Sequence, residues 1–382
     1  MPSTIQFDKI GKLGFGYMRL PFHDGAYDPA LTSKMADAFL ESGGTYFDTA
    51  FIYDESEEIL RDTVIKRYPN DRGKIQIATK VSMFRANTPE LVKQHFDISL
   101  ERLGTDYIDF YLLHGIDSKS SKKAEEFGAW EFLKELKVKG LVKHLGFSFH
   151  GAPEELDEIL GKHPETEAVQ LQINYLDWDD PKVQSRRLHE TARKYDVPVI
   201  IMEPLRGGLL ASADSPIVGL LHEANPNVST ASWAMRFASQ LDGVFVALSG
   251  MSSPEQMADN IKTYEKLEPL SADEMKIIKK AVEILNSVPR IDCTSCRYCI
   301  NECPSKIPIT FIMQLYNDYL VHKSAINLDR PYGLSTRGGG KASTCTACKA
   351  CEEICPQKIK IVDIISVAAS LFDDNPSFPT FN

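Results

Sequence analysis

"KIQIATKVSMFRANTPELVKQHFDISLERLGTDYIDFYLLHG", residues 74–115, contains one complete strand–helix–strand unit. KIQIAT and YIDFYLL are short apolar runs of the kind that form strands buried on both faces. Between them, TPELVKQHFDISLERL has the apolar spacing of a helix, and its Thr-Pro-Glu start is a typical N-terminal signal. The stretch therefore predicts two parallel strands joined by a helical crossover.

The same alternation runs through the first 270 residues. The strand candidates are KLGFGYM, TYFDT, KIQIAT, YIDFYLL, VKHLGFS, AVQLQI, VPVIIME and VFVALSG. A helical pattern follows each of them, including one over EEFGAWEFLKELKVKG, residues 125–140. Eight such units over about 240 residues fit a (β/α)8 TIM barrel better than an open doubly wound sheet. No G-x-G-x-x-G follows a strand and opens a helix, so the Rossmann signature is missing.

The pattern divides the chain into three segments. We expect the barrel over residues 1–270 and a bridging helix over residues 271–289, where SADEMKIIKKAVEILNS has an acidic first turn. The third segment, residues 290–370, contains every cysteine of the chain.

The cysteines form an internal repeat, CTSCRYCINECP and CTACKACEEICP, 52 residues apart. They are Cys293, Cys296, Cys299, Cys303, Cys345, Cys348, Cys351 and Cys355. A disulfide framework suits small secreted domains, and a zinc site needs neither the third cysteine at the same step nor the closing Cys-Pro. The C-x2-C-x2-C-x3-C-P run is typical of bacterial ferredoxins. We therefore predict a ferredoxin-like domain that binds two 4Fe-4S clusters.

In two-cluster ferredoxins the fourth cysteine of each run ligates the other cluster. This rule assigns Cys355 to the cluster of the first run and Cys303 to the cluster of the second run. The predicted ligand sets are Cys293, Cys296, Cys299 and Cys355, and Cys345, Cys348, Cys351 and Cys303.

Composition narrows the function classes. The chain has 43 basic and 53 acidic residues, a net charge of −10, which argues against nucleic acid or an anionic membrane as a partner. It has neither an apolar run long enough to span a bilayer nor an N-terminal export signal. We expect a cytoplasmic protein that acts on a small molecule and exchanges electrons with a ferredoxin or another electron-transfer protein.

Ionisable residues end three consecutive strand candidates. Asp48 closes TYFDT, Lys80 follows KIQIAT, His114 follows YIDFYLL, and Tyr53 lies in the loop after the first of these. In TIM barrels the C-terminal strand ends form the catalytic face. Reduction of a carbonyl needs a proton on the oxygen, and a tyrosine beside a lysine is suited to supply it.

The motifs FDTAFIYDESEEIL, ATK and LLHG resemble the catalytic motifs of the aldo-keto reductase family, and the resemblance covers roughly residues 5–265. It implies hydride transfer from a nicotinamide, with Tyr53 as general acid/base. Lys80, held charged by Asp48, would stabilise the phenolate, and His114 would orient and polarise the carbonyl oxygen. Members with a fused ferredoxin-type domain, largely from anaerobes, resemble the whole chain.

The resemblance also implies a nicotinamide dinucleotide site. Its residues would be Gly16, Tyr17, Met18, Ser148, Gln172, Leu205, Arg206, Gly250, Ser252, Gln256 and Asn260. Phe149 stands where the family usually has asparagine, and Met202 where it often has tyrosine. Gly250 and Gln256 stand where NADP-dependent members have basic residues. These departures leave the cofactor open between NADP, NAD and a flavin. Arg206 could bind the cofactor phosphate instead, or it could form a surface salt bridge.

These observations predict an oxidoreductase that reduces or oxidises a small carbonyl or alcohol by hydride transfer and passes electrons through its clusters. One alternative is a flavin-dependent reductase fed by ferredoxin. Another is an electron carrier or redox sensor on a structural barrel. In a third alternative, the clusters only stabilise the C-terminal domain and carry no electrons. Substrate, reaction direction and oligomeric state do not follow from the sequence.

Overall fold

The structure is a computed structural model. It describes residues 10–23, 26–53, 55–213, 215–322 and 328–373, so the first nine residues of the predicted barrel segment lie outside it. The chain divides into two compact units. The barrel unit comprises Met1–Leu205 and Leu210–Lys279, and the cysteine unit comprises Arg206–Leu209 and Lys280–Asn382.

Eight parallel strands form a closed barrel, which confirms the predicted fold class. They are β1 (Leu13–Gly16), β4 (Tyr46–Asp48), β5 (Gln76–Ser82), β6 (Ile108–Ile116), β7 (Val142–Phe149), β8 (Ala168–Gln172), β9 (Val199–Met202) and β10 (Val244–Ser249). A two-stranded hairpin, β2 (Phe22–His23) and β3 (Ala26–Tyr27), follows the first strand. β1 pairs with both β4 and β10, so every barrel strand has two neighbours and the sheet has no open edge.

Helices connect the barrel strands, mostly where the sequence predicted them. They are α1 (Pro29–Glu41), α2 (Ser56–Leu60), α3 (Pro89–Leu103), α4 (Ser118–Glu126), α5 (Ala129–Val138), α6 (Pro153–Lys162), α7 (Ser185–Lys194), α8 (Val218–Ala224), α9 (Thr230–Ser239), α10 (Pro254–Glu265) and α11 (Ala272–Ser287). At α3, the Thr88 hydroxyl accepts from the Leu91 amide, and Gly104 ends the helix with φ 61°. Among the described residues, no helix is long and apolar enough to cross a membrane.

The single helix predicted over residues 125–140 is wrong. Two helices occupy this region, because the chain turns between Glu126 and Ala129, where Gly128 has φ 63°. Glycine adopts this left-handed conformation without the steric cost of a side chain. The apolar spacing of the sequence continues across the turn and therefore conceals it.

Strand residues alternate between the barrel interior and the helix layer. Inside, Tyr46, Ala78 and Phe110 belong to one buried cluster. Their neighbours along the strands, such as Phe47 and Tyr111, pack in the larger core that includes the helices. Asp48 and Lys80 lie two residues after Tyr46 and Ala78, and His114 lies four residues after Phe110. By the same alternation, these positions face inward at the C-terminal mouth.

The cysteine unit is built from short helices around its own apolar core. The helices are α12 (Tyr298–Asn301), α13 (Ile309–His322), α14 (Asp329–Thr336), α15 (Ala350–Glu353) and α16 (Ile361–Phe372). Ile307, Ile312 and Ile365 are among the buried side chains that pack against the cysteines. α12 and α15 occupy equivalent places in the two cysteine runs, as the repeat in the sequence implies.

Gly146 offers a test of the barrel packing. A Cβ added there would lie 2.0 Å from the carbonyl oxygen of Ala168 on the neighbouring strand, so Gly146→Ala has to displace backbone. We expect it to lower the free energy of unfolding by about 2 kcal/mol or more, measured by chemical denaturation. Gly73→Ala is the control, because no atom lies within 4 Å of its added Cβ. Equal stability of the two variants would contradict the close strand approach.

Candidate active site and cysteine cavities

The four residues of the predicted catalytic set lie at one end of the barrel. Asp48 ends β4, Lys80 lies near the end of β5, and His114 lies near the end of β6. They are 3%, 1% and 2% exposed. Tyr53 is half-buried on the loop that follows β4. The structure thus brings together residues that are up to 66 positions apart in the sequence.

The Lys80 ammonium is the centre of this set. Its Nζ donates to Asp48 Oδ1 at 2.6 Å and to the Thr49 carbonyl oxygen at 2.7 Å. The same atom lies 5.2 Å from the centre of the Tyr53 ring, and Tyr53 is among the groups that raise the pKa of the lysine. The Tyr53 and His114 rings meet edge to face, with centroids 5.6 Å apart. The lysine therefore lies between a carboxylate and the phenol.

Burial and neighbouring charges set the protonation of these groups. Burial raises the pKa of Asp48 above its ordinary value, although Lys80 opposes this. Burial alone would lower the pKa of Lys80, but Asp48 and Tyr53 outweigh it and raise that pKa above the ordinary value. Burial, with Lys80 and His150, lowers the pKa of His114 well below its ordinary value. Near neutral pH the site therefore contains a charged lysine and a neutral imidazole.

A second ion pair, with a buried carboxylate and a half-buried arginine, supports the loop that carries Tyr53. Glu57 is 1% exposed, and its carboxylate accepts from the Thr79 hydroxyl at 2.7 Å and from Arg102 Nη1 at 3.3 Å. Arg102 Nη1 also donates to the Phe51 carbonyl oxygen at 3.1 Å. Thr79 precedes Lys80 in β5, and Phe51 lies two residues before Tyr53. The pair thus links the strand of the lysine to the loop of the tyrosine, a link that the sequence analysis missed.

Ser148 and Gln172 lie at the same end of the barrel, on β7 and β8. The Ser148 hydroxyl accepts from the Gly115 amide at 2.8 Å. Gln172 Nε2 donates to Asp177 Oδ2 at 2.8 Å, and Asp177 is fully buried. An ionised carboxylate only accepts hydrogen bonds, so Asp177 fixes the orientation of the Gln172 amide. The sequence analysis also missed Asp177.

At the end of β1, the backbone of Tyr17 could contact a cofactor in the barrel mouth, but its side chain could not. Tyr17 is 1% exposed, its ring packs against Phe15 with centroids 4.9 Å apart, and its hydroxyl lies 3.1 Å from Thr63 Oγ1. Its side chain therefore belongs to the helix layer. Gly16 is buried and Met18 is half-buried.

Gly250, Ser252 and Gln256 surround the start of α10. The Ser252 amide donates to Gln256 Oε1 at 2.7 Å, and its hydroxyl donates to the Arg19 carbonyl oxygen at 2.7 Å. Asn260 Nδ2 donates to Ser249 Oγ at 2.8 Å. A Cβ on Gly250 would lie 3.4 Å from Cβ of Arg19. Arg19, which follows β1, therefore lies beside the predicted phosphate loop after β10.

Arg19 and Arg206 both have carboxylate partners. Arg19 Nη2 lies 2.8 Å from Glu203 Oε1. Arg206 is 5% exposed, and its Nη1 lies 3.0 Å from Asp292 Oδ1 within the cysteine unit. The Arg206 side chain is therefore buried, whereas its partner Asp292 is 33% exposed. Leu205, the remaining predicted cofactor residue, is half-buried against the barrel core.

The cysteines line two cavities in the cysteine unit. One encloses about 350 Å³ and is lined by the second run and Cys303; the other encloses about 340 Å³ and is lined by the first run and Cys355. The first set is Cys303, Cys345, Cys348 and Cys351, and the second is Cys293, Cys296, Cys299 and Cys355. These are the two ligand sets predicted by the exchange of the fourth cysteine. We name them the Cys348 cavity and the Cys293 cavity.

The chemistry of the cavities fits 4Fe-4S clusters. Each has four thiols, the ligand number of such a cluster, and isoleucines such as Ile309 and Ile361 form its walls. Without iron, burial and the neighbouring thiols raise the pKa of Cys299, and burial raises that of Cys351 to about 11. Bound iron would offset this cost because it coordinates the thiolate.

Two family models match the chain. Residues 12–283 match the aldo/keto reductase family, and residues 292–360 match a 4Fe-4S dicluster domain. The boundaries agree with the division between the barrel and the cysteine unit.

Curated relatives and solved structures agree with the first match. Aldo-keto reductase str7 of Strobilurus tenacellus is 33% identical over 53% of this chain and 60% of that protein. An aldo-keto reductase of Mycolicibacterium vanbaalenii is 30% identical over 66% of this chain and 83% of that protein. The structure of aldo-keto reductase AKR11C1 from Bacillus halodurans shares the fold, with a TM-score of 0.58, 24% identity, and coverage of 71% of this chain and 92% of that one.

The Glu57–Arg102 pair predicts a local effect on the Tyr53 loop. Arg102→Met removes the donor to the Phe51 carbonyl and leaves the buried Glu57 without its cation. We expect amide hydrogen exchange in residues 49–55 to accelerate about tenfold or more. Arg236→Met is the control, since it breaks another buried pair, with Glu274 at 2.7 Å. The same acceleration in both variants would show that Arg102 supports the fold in general and not this loop.

The cysteine sets predict which double variants lose iron. Cys293→Ser with Cys355→Ser removes two ligands of one cavity and should retain about half of the iron. Cys303→Ser with Cys355→Ser removes one ligand from each cavity and should lose most of it. The measurement is iron and acid-labile sulfide per chain after anaerobic reconstitution. A similar, nearly complete loss in both variants would mean that each run binds its own cluster, because each pair would then remove one ligand from each cluster.

Proposed function

The chain belongs to the aldo/keto reductase family, and on that premise we propose that its barrel mouth transfers a hydride between a nicotinamide dinucleotide and a small carbonyl or alcohol. It is an oxidoreductase with a 4Fe-4S dicluster domain. The observation that carries the proposal is the Lys80 ammonium, held by Asp48 at 2.6 Å and in contact with Tyr53. This arrangement equips a tyrosine to give and take a proton.

Tyr53 is the proposed general acid in the direction of reduction. As the carbonyl oxygen gains negative charge, the phenol transfers its proton to that oxygen and becomes a phenolate. The Lys80 ammonium stabilises the phenolate because it is a fixed positive charge in a buried site. Asp48 keeps Lys80 protonated, so the charge is in place before the reaction starts.

His114 is proposed to orient the substrate oxygen. Its lowered pKa keeps the imidazole neutral near pH 7, so it donates one N–H without adding a second positive charge beside Lys80. Its ring meets those of Tyr53 and Phe84 edge to face, with centroids 5.6 and 5.9 Å away. A carbonyl oxygen that accepts from both Tyr53 and His114 would be fixed in one position.

The nicotinamide dinucleotide supplies the hydride when bound. We propose that Ser148 and the Asp177-oriented amide of Gln172 hold the nicotinamide carboxamide. The start of α10, where Ser252 and Gln256 lie, would face the phosphates, with Arg19 as the nearby cation. Two Klebsiella pneumoniae aldo/keto reductases with this fold, both 20% identical to the chain, are described as complexes with NADP and acetate and with NADPH. They support NADP(H) as the first dinucleotide to test.

The cysteine unit is proposed to hold two clusters that pass single electrons. The partner would be an electron-transfer protein. Hydride transfer moves two electrons together, so a chain with both centres is suited to link one-electron and two-electron chemistry.

The proposed chemistry predicts the behaviour of Tyr53→Phe. In anaerobic assays of NADPH oxidation with a panel of small aldehydes and ketones, kcat should fall at least about 100-fold, because the proton donor is gone. The dissociation constant of NADPH, measured by fluorescence, should change less than about twofold. Tyr68→Phe is the control, since its hydroxyl only contacts Asp37. Full activity of Tyr53→Phe, or a flavin spectrum in the purified protein, would contradict the proposal.

A further inference from the structure

The two cysteine cavities differ in their exposure to solvent. Cys348 is the only exposed cysteine of the eight, all of which lie in the described part of the chain. Pro304, Thr346 and Lys349, which also line the Cys348 cavity, are exposed as well. The Cys293 cavity has no exposed lining residue among those described. A cluster in the Cys348 cavity would therefore be closer to an approaching protein.

One basic residue lines the exposed cavity, and two more lysines lie on chain segments next to its lining. Lys349 is the only charged residue in the lining of either cavity, and it is exposed next to Cys348. The Gly340 amide donates to the Lys306 carbonyl oxygen at 3.1 Å, which brings Lys306 and Lys341 to the same rim. Both of these lysines are exposed. We name Lys306, Lys341, Lys349 and Cys348 the lysine rim.

The carboxylates nearest to the rim are partly engaged in the protein. Glu352 Oε1 accepts from the Val362 amide at 2.8 Å. Asp373 accepts from the Tyr332 hydroxyl and from the Ser343 amide, both at 2.9 Å or less. Glu353 is exposed, so the rim is not free of negative charge.

The cysteine unit is less acidic than the rest of the chain. Residues 206–209 and 280–382 contain 12 basic and 10 acidic side chains, whereas the whole chain has a net charge of −10. Thiolate-ligated clusters would add negative charge to this unit, so the attraction of an acidic protein would come from the exposed lysines of the rim and not from the net charge of the unit. Such complementarity steers encounters and selects partners.

We propose that the lysine rim is the docking surface for an acidic one-electron carrier protein of the ferredoxin type. Electron transfer slows steeply with distance, so a carrier has to dock where a cluster is least covered, and the rim is that place among the described residues. The proposal rests on the clusters of the proposed function but not on hydride transfer by Tyr53. The docking proposal and the Tyr53 proposal can therefore fail independently of each other.

The sequence repeat provides a matched pair of variants. Lys349 and Arg297 each follow the second cysteine of their run, and both are exposed. Each lies directly before a short helix and has a positive φ, 62° for Lys349 and 66° for Arg297. Lys349→Glu and Arg297→Glu therefore make the same charge change at equivalent positions. They differ in the cavity beside them.

The experiment measures binding of the cluster-loaded full chain to a purified acidic two-cluster bacterial ferredoxin by anaerobic calorimetry. Both proteins are oxidised, so no turnover is involved. We expect Lys349→Glu to raise the dissociation constant about tenfold or more and Arg297→Glu to raise it less than about twofold. The dissociation constant of the parent should also rise with salt. Iron content checks that each variant retains its clusters.

Lys341→Glu provides a second variant away from the cysteine loop, in case Lys349→Glu loses iron. It should weaken binding by a similar factor with the iron content unchanged. The proposal is overturned if the parent does not bind the ferredoxin at low salt. It is also overturned if Arg297→Glu weakens binding as much as the rim variants do, or if the rim variants bind like the parent.

Discussion

Closure of eight parallel strands with defined pairing, including register shifts between β9 and β10 and between β6 and β7, determines which side chains enter the barrel mouth. β1 pairs Gly16 with Asp48, and β5 pairs Ser82 with His114, so the strand ends are staggered by fixed amounts. Side chains alternate along a strand, and a slip of one residue would turn Asp48 and Lys80 toward the helix layer. Because the sheet has no open edge, such a slip in one strand would have to be accommodated by both neighbours. The geometry of the candidate site is thus a consequence of barrel packing.

Burial gives the site its electrostatic properties. A charged ammonium in a buried position is unfavourable unless a carboxylate and hydrogen-bond acceptors compensate it, and Asp48 and the Thr49 carbonyl do so for Lys80. Burial, together with the positive charge of Lys80, keeps the imidazole of His114 neutral. The same charge lies close enough to Tyr53 to stabilise the phenolate that the proposed function requires.

In the cysteine unit, the two cavities depend on cysteines from both runs. Its two runs are local repeats, yet each cavity needs one cysteine from the other run, so neither cavity is complete unless both runs fold together. Interleaving also allows equivalent sequences to have unequal surroundings. Cys348 is exposed, whereas its counterpart Cys296 is half-buried. The repeat thus permits one centre that is accessible to a partner and one that is more protected.

The sequence by itself determined the order of the eight barrel strands, the strand ends that carry Asp48, Lys80 and His114, and the grouping of the cysteines. These features depend on apolar periodicity and on fixed motif spacing, which are local properties of the chain. The tertiary structure alone decided that Arg19 lies beside Gly250, and that the Glu57 carboxylate and its arginine partner on α3 join β5 to the Tyr53 loop. Periodicity shows that a face is buried but not which distant face it meets. Contacts of that kind are fixed only when the barrel closes and the helices pack around it.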